Sequence, residues 1–262
     1  MRRGIMAIAI VLMAAVATAQ VVTTRSSAFQ LLIPAAGAVD GGGGTFFRSD
    51  ITLVNYRSSA QRVRLQWLPQ GVTGTGLTPV ETTIGATSGF TSEDFVTNVM
   101  QRSGLGAILV TGITAAGDLD PSAQLVATSR IWTPQPGSSG TTSQSLPSVA
   151  TADINSTTVS VLSERRDSRY RLNTGIVNLS STVQRYQIFA SGSASQQVDV
   201  QAMSMVLFNL TGDDSNIPVQ IQLSNISTVA RSNNWIAFAS SVDNITGDAW
   251  TTLGANLPNS AP

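Results

Sequence analysis

Val63, Leu65 and Trp67 alternate with Arg62, Arg64 and Gln66, the two-residue period of a strand with one buried face. Short apolar runs of similar length recur at 77–84, 105–112, 124–133, 157–163, 197–201, 203–209, 218–224 and 235–242. Their close spacing predicts a sandwich or barrel rather than strand–helix–strand units. A further strand is expected over 26–34. The pattern changes once. Thr91 or Ser92 can cap a short helix, Glu93 and Asp94 suit its positive start, and Phe95, Val96, Val99 and Met100 make one apolar face before Gly104 stops it.

The same pattern occurs twice. Residues 47–66 (FRSDITLVNYRSSAQRVRLQ) align without a gap to 170–189 (YRLNTGIVNLSSTVQRYQIF), with identities at Arg48/Arg171, Val54/Val177, Asn55/Asn178, Ser58/Ser181, Gln61/Gln184 and Arg62/Arg185. A weaker echo relates LVATSRIW at 125–132 to IAFASSVD at 236–243. The stretches 55–59 and 178–182 read as hairpin loops, because Asn and Ser side chains bond their own backbone in turns. Pro, Gly and Ser dominate 134–148, which reads as a linker. The expected organisation is a leader at 1–19, an N-terminal strand arm at 20–36, one module at 37–136, a linker at 137–150 and a second module at 151–262.

The leader follows from its charge and length. Arg2 and Arg3 precede an apolar run from Ile5 to Val16, and Ala17-Thr18-Ala19 offers a small-x-small cleavage site before Gln20. The run is short for a membrane span, which takes about 20 residues. A prepilin-type cut after Gly4 is the rival reading, and the Glu usual in such a helix is missing. Loss of the leader leaves 13 Arg against 15 acidic residues. That balance disfavours nucleic acid as a partner, and no transmembrane segment is expected in the mature chain. A secreted, extracellular or cell-surface location is expected.

Composition then removes most catalytic chemistry. There is no His, no Cys and no Lys, and 32 Ser with 29 Thr make up much of the chain. A Ser-His-Asp triad, a thiol nucleophile, a Schiff base and imidazole or thiolate metal ligands are all excluded. Paired carboxylates remain the one route to hydrolysis. Only Glu81, Glu93 and Glu164 are glutamates, and Glu93 and Glu164 sit in helix-start and charged-turn contexts. No cofactor is expected. Gly41–Gly44 lacks the following Lys of a phosphate loop, and Gly71, Gly74 and Gly76 read as a turn.

Oxygen-rich loops supply weak calcium candidates, Asp118 and Asp120, Asp213 and Asp214, and Asp243 and Asp248, none with EF-hand spacing. Arg48 with Asp50, and Arg171 with Asn173, lie two apart on one strand face, and their recurrence suggests a structural task. Trp67 belongs to the inward stripe. Trp132 and Trp250 lie near strand ends and are the better candidates for sugar stacking. Asn155, Asn178, Asn209, Asn225 and Asn244 are Asn-x-Ser/Thr sequons.

The strings IPAAG (33–37), FFRSDITLVN (46–55), YRLNTGIVN (170–178) and SSVDNITGDA (240–249) resemble a pattern in uncharacterised secreted bacterial proteins with tandem Ig-like β-sandwich repeats. The resemblance implies an all-β fold of two tandem Ig-like antiparallel β-sandwich modules, with the short helix in the first. It carries no established activity. The expected function is a non-enzymatic extracellular binding or structural module, its partner a protein or glycan at the cell surface or a copy of itself. One alternative is a filament or surface-layer subunit that donates its N-terminal strand. A weaker one is a carbohydrate-active hydrolase using carboxylates.

Overall fold

A computed structural model describes residues 27–256 except 136, 138, 157 and 212–218. The predicted leader at 1–19, residues 20–26 of the arm, and Asp213 and Asp214 therefore lie outside the described residues.

The chain forms two antiparallel β-sandwiches, as the alternation predicts. The first contains β1 (Gln30–Asp40), β2 (Phe46–Asn55), β3 (Gln61–Pro69), β4 (Val80–Ile84), β5 (Ser88–Ser92), β6 (Gly104–Ile113), β7 (Leu125–Pro134), β8 (Thr141–Pro147) and β9 (Val149–Ala150). One sheet runs β4-β3-β6-β1 with β9 beside β1, and the other runs β5-β2-β7-β8. β1 shifts register between Ile33 and Ala36, where Pro34 lacks an amide donor, and its far end pairs Val39 with Phe47. That bend joins the two sheets.

The second sandwich contains β10 (Thr158–Glu164), β11 (Tyr170–Asn178), β12 (Gln184–Ala190), β13 (Gln196–Val200), β14 (Ser204–Asn209), β15 (Val219–Asn225), β16 (Trp235–Asp243), β17 (Ala249–Leu253) and β18 (Ala255–Asn256). Its sheets run β13-β12-β15-β10-β18 and β14-β11-β16-β17. Each strand from β1 to β9 thus has a counterpart from β10 to β18, in the same order within each sheet. The duplication extends well beyond the twenty-residue repeat.

Several expectations change at this level. The N-terminal arm is not separate from the first module: β1 pairs with β6 from Gln30 to Ala38, and Leu31, Leu32, Ile33, Ala35 and Ala36 are buried. The expected linker at 137–150 instead supplies β8, paired to β7 from Thr128 through Pro134, and β9. An edge strand with one exposed side needs little apolar sequence, so composition reads it as a linker. The stretches 55–59 and 178–182 are not hairpins. They carry the chain between sheets, since β2 pairs with β5 and β7 whereas β3 pairs with β4 and β6.

The weaker echo is out of register by one residue. Arg48 faces Trp132 and Arg171 faces Val242, so 125–132 corresponds to 235–242. In a strand a one-residue slip exchanges the two faces. The helix α1 (Phe95–Asn98) forms, but Asp94 caps it, accepting from the Thr97 amide at 3.4 Å, while Thr91 and Ser92 belong to β5.

Three cores hold the molecule together. Ile33, Leu53, Leu65, Trp67, Phe95 and Ile108 fill the first sandwich, and Leu172, Tyr186, Ile221, Leu223 and Trp235 fill the second. The third lies between them. Leu32, Ala35, Leu68, Ala107 and Leu146 from the first module meet Val177, Met205, Ile236 and Phe238 from the second. Hydrogen bonds frame this seam. Gly71 donates to the Met205 carbonyl at 2.9 Å, Gly74 to that of Ala202 at 3.1 Å, and the Ser204 hydroxyl to that of Pro69 at 2.7 Å. A β-carbon at Gly74 would stand 2.2 Å from the Met203 carbonyl oxygen, so the glycine permits the approach. The glycine-rich turn at 71–76 is therefore a clamp between modules.

Candidate functional site

The repeated polar identities serve the fold. Asn55 is fully buried at the exit of β2; its Nδ2 donates to the carbonyls of Ser59 (2.9 Å), Gly85 (2.9 Å) and Ile84 (3.4 Å), and its Oδ1 accepts the Arg57 amide (3.0 Å). Asn178 repeats the arrangement with Thr182 (2.9 Å), Gln201 (2.9 Å) and Val200 (3.2 Å), and accepts from the Ser180 amide (2.9 Å). Gln61 and Gln184 are buried beside them, donating to the carbonyls of Ile113 (3.1 Å) and Ala230 (3.0 Å). A buried amide that satisfies several loop carbonyls fixes the corner between sheets.

The calcium candidates scatter. Asp120 bonds Ser122 and meets Arg57 Nη1 at 2.7 Å, and Asp243 meets Arg169 Nη2 at 2.6 Å while accepting the Ile245 amide at 2.8 Å. Asp118 and Asp248 take part through their carbonyls, accepting from Thr114 and Asp243 at 2.8 Å each. Among the described residues no three carboxylates gather as a metal-holding group, and no helix is long and apolar enough to cross a membrane.

Partners hold five carboxylates in their charged form. Arg64 and then Arg62 lower the pKa of Glu81, the Ser122 hydroxyl and then Arg57 lower that of Asp120, and Arg165 lowers that of Asp167. Arg185 lowers Asp199, and Arg169 with the amides of Ile245 and Thr246 brings Asp243 to about 2.

Four strands build an open face on the first module. Along β2, β5, β7 and β8, cross-strand rows place Trp132 beside Arg48, Ser145 beside Arg130 and Asp50, and Thr128 beside Thr52 and Thr91. The Thr52 and Thr91 hydroxyls bond at 2.8 Å. The Trp132 indole N–H donates to Asp50 and to the Glu93 carbonyl (3.3 Å). Arg48 stands 3.6 Å from Asp94 with its guanidinium 5.7 Å from the Trp132 ring centre; Arg130 stands 3.6 Å from Asp50 and 6.0 Å from the same ring. A groove of about 540 Å³ runs over Asp50, Thr52, Thr91, Thr128, Arg130 and Ser145.

The corresponding face of the second module has a different surface. Register matches Thr128 to Phe238, Thr91 to Leu207, Gly89 to Met205 and Thr52 to Gly175. There the apolar side chains pack into the seam. This row is thus apolar where a neighbouring module covers it and hydroxyl-bearing where it is open, while the next row of the covered face, Asn173, Ser240 and Thr251, stays polar. The sequence singled out Arg48, Asp50 and Trp132 without bringing them together, and missed the three threonines, which lie on three strands.

Other features are placed as follows. Trp67 and Trp235 are buried, Trp132 is half-buried, and Trp250 is exposed against Tyr170, their ring centres 5.5 Å apart. Arg171 donates to Asn244 Oδ1 at 2.9 Å. Sequon residues Asn178 and Asn225 are fully buried, while Asn155, Asn209 and Asn244 are exposed. A cavity of about 270 Å³ at the seam is lined by Val39, Phe47, Ile131 and Leu207. Its polar walls serve the modules' own contact, with Gln144 donating to Ser240 at 2.8 Å and Thr142 to the Thr246 carbonyl at 3.3 Å. Neither a protein-family model nor a curated protein matches the chain.

Proposed function

We propose that the chain is an exported, non-enzymatic protein that acts outside the cell as a binding module on a rigid two-sandwich body. The observation that carries this reading is the contrast between equivalent rows: Leu207, Gly175 and Phe238 of the second module lie in or beside the covered seam, while Thr91, Thr52 and Thr128 of the first line an open groove. The leader pattern of Arg2, Arg3 and the apolar run supports export, and the resemblance to secreted bacterial sandwich proteins agrees with it.

A non-catalytic role draws support from the carboxylates. A glycosidase acid needs a raised pKa in an apolar setting, and Glu81, Asp120, Asp167, Asp199 and Asp243 are all shifted the other way. No cofactor enters this reading.

The filament alternative is less well supported. β1 lies in its own sandwich with Ile33 fully buried in the first core and Leu32 in the seam, so donating it would open both. Stacking by a repeat of the seam is equally disfavoured. The positions matching Leu109 and Ala107 on the second module are Gln222 and Gln220, and the outer face they share with Arg185 and Gln187 is mainly polar, with Phe189 its exposed apolar residue. Polar outer faces close an array, as capping repeats do.

Light scattering with negative-stain imaging of the purified full chain tests the reading. A single-chain mass that holds across concentration is the expected result; polymers of regular repeat would replace it with the subunit reading.

A further inference from the structure

We propose that the open face of the first module binds a neutral polysaccharide. The inference rests on the binding-module reading above and names its ligand class.

Three observations select that class. The first is hydrogen-bonding capacity. Each threonine hydroxyl carries one donor and two acceptor sites. The row Thr91–Thr52–Thr128 therefore presents both kinds across three adjacent strands, with Ser145 on a fourth. A polymer of hydroxyl groups is complementary to that mixture, whereas an apolar partner would leave it unsatisfied.

The second is charge. Arg48 and Arg130 are matched by Asp94 and Asp50 at 3.6 Å each, so the face has no net charge to attract a polyanion. Nucleic acid or a sulfated or uronate chain would seek unmatched guanidinium groups.

The third is order. The Trp132 ring is held by its indole N–H on Asp50 and by the two flanking guanidinium groups. Aromatic rings fixed beside polar groups recognise sugars through ring contact and hydrogen bonds together. The strands beneath are pinned by the first core and by the seam, so the face is organised before a ligand arrives. Strand spacing of about 4.8 Å and a two-residue repeat of about 6.7 Å set the rows at a regular spacing suited to an extended chain.

Affinity electrophoresis of the full chain tests this, in gels cast with neutral glucans, xylans or mannans and with polyanionic alginate as comparison. At least one neutral polysaccharide is expected to retard the protein, and alginate not to. Thr52→Val with Thr128→Val removes hydroxyls while keeping β-branched shape, and should weaken retardation at least tenfold. Trp132→Phe should weaken it less, and Arg185→Ala on the opposite outer face should leave it unchanged. Circular dichroism confirms that each variant is folded. No retardation by any neutral polysaccharide overturns the proposal. Retardation that survives the double threonine change also overturns it, while leaving the binding-module reading intact because the site would lie elsewhere. Regular polymers in the parallel scattering measurement would remove that reading itself.

Discussion

Phe238 stands directly across from Gly175 on the neighbouring strand, and its ring fills the space a β-carbon there would need, with Cζ only 2.1 Å from that position. The pair sits where the second module turns its apolar face onto the first. Gly175→Ala therefore forces the ring out of the seam and should destabilise the protein by about 1–3 kcal/mol. Phe238→Ala should cost about 3–5 kcal/mol by opening a cavity. Chemical denaturation measures both. The corresponding change at Thr52, where the face is open, should have little effect on stability.

The seam also predicts how the chain unfolds. Leu68 is fully buried in the core shared by both modules. Calorimetry of the full chain should show one cooperative transition, and Leu68→Ala should lower it by about 2–5 kcal/mol without splitting it. Two resolved transitions in the unmodified chain would mean that the modules fold independently.

Asn55 and Asn178 hold equivalent corners with equivalent bonds. Replacing either by Ala leaves one buried carbonyl, that of Ile84 or of Val200, without the amide, and an unsatisfied buried group costs about 1–3 kcal/mol. The two variants should be destabilised by similar amounts in denaturant titrations. A large difference between them would show that the duplicated corners do not carry equal weight.

Acid sensitivity follows from Asp243. Arg169 first, then the amides of Ile245 and Thr246, lower its pKa from 3.8 to about 2. A carboxyl whose folded pKa is depressed stabilises the fold above its unfolded value and loses that contribution as pH falls through the folded one. Melting temperature should thus decline between about pH 4 and pH 2. Asp243→Asn should be less stable at neutral pH and show a flatter profile across that window.

How legible was this in the sequence? Strands with one buried face were plain, because Val63, Leu65 and Trp67 alternate cleanly with polar residues. The repeated Asn and Gln were plain too, since amides that bond loop carbonyls tolerate little change. β8 has the composition of a linker because Thr142 and Gln144 satisfy themselves on the second module and need no apolar pattern. The open face was out of reach. Thr52, Thr91 and Thr128 come together only through pairing, and their contrast with Gly175, Leu207 and Phe238 emerges only once each strand is matched in register. The one-residue error in the weaker echo would have exchanged the two faces.

Trp132 and Trp250 provide the most direct test of where the protein works. One stands on the open face and the other is exposed at the far module, while Trp67 and Trp235 are buried. Hydroxyl-radical footprinting read by mass spectrometry compares their oxidation with and without a retarding neutral polysaccharide. Binding at the open face protects Trp132 and leaves Trp250 unchanged. Protection of Trp250 alone, or of neither, would contradict it.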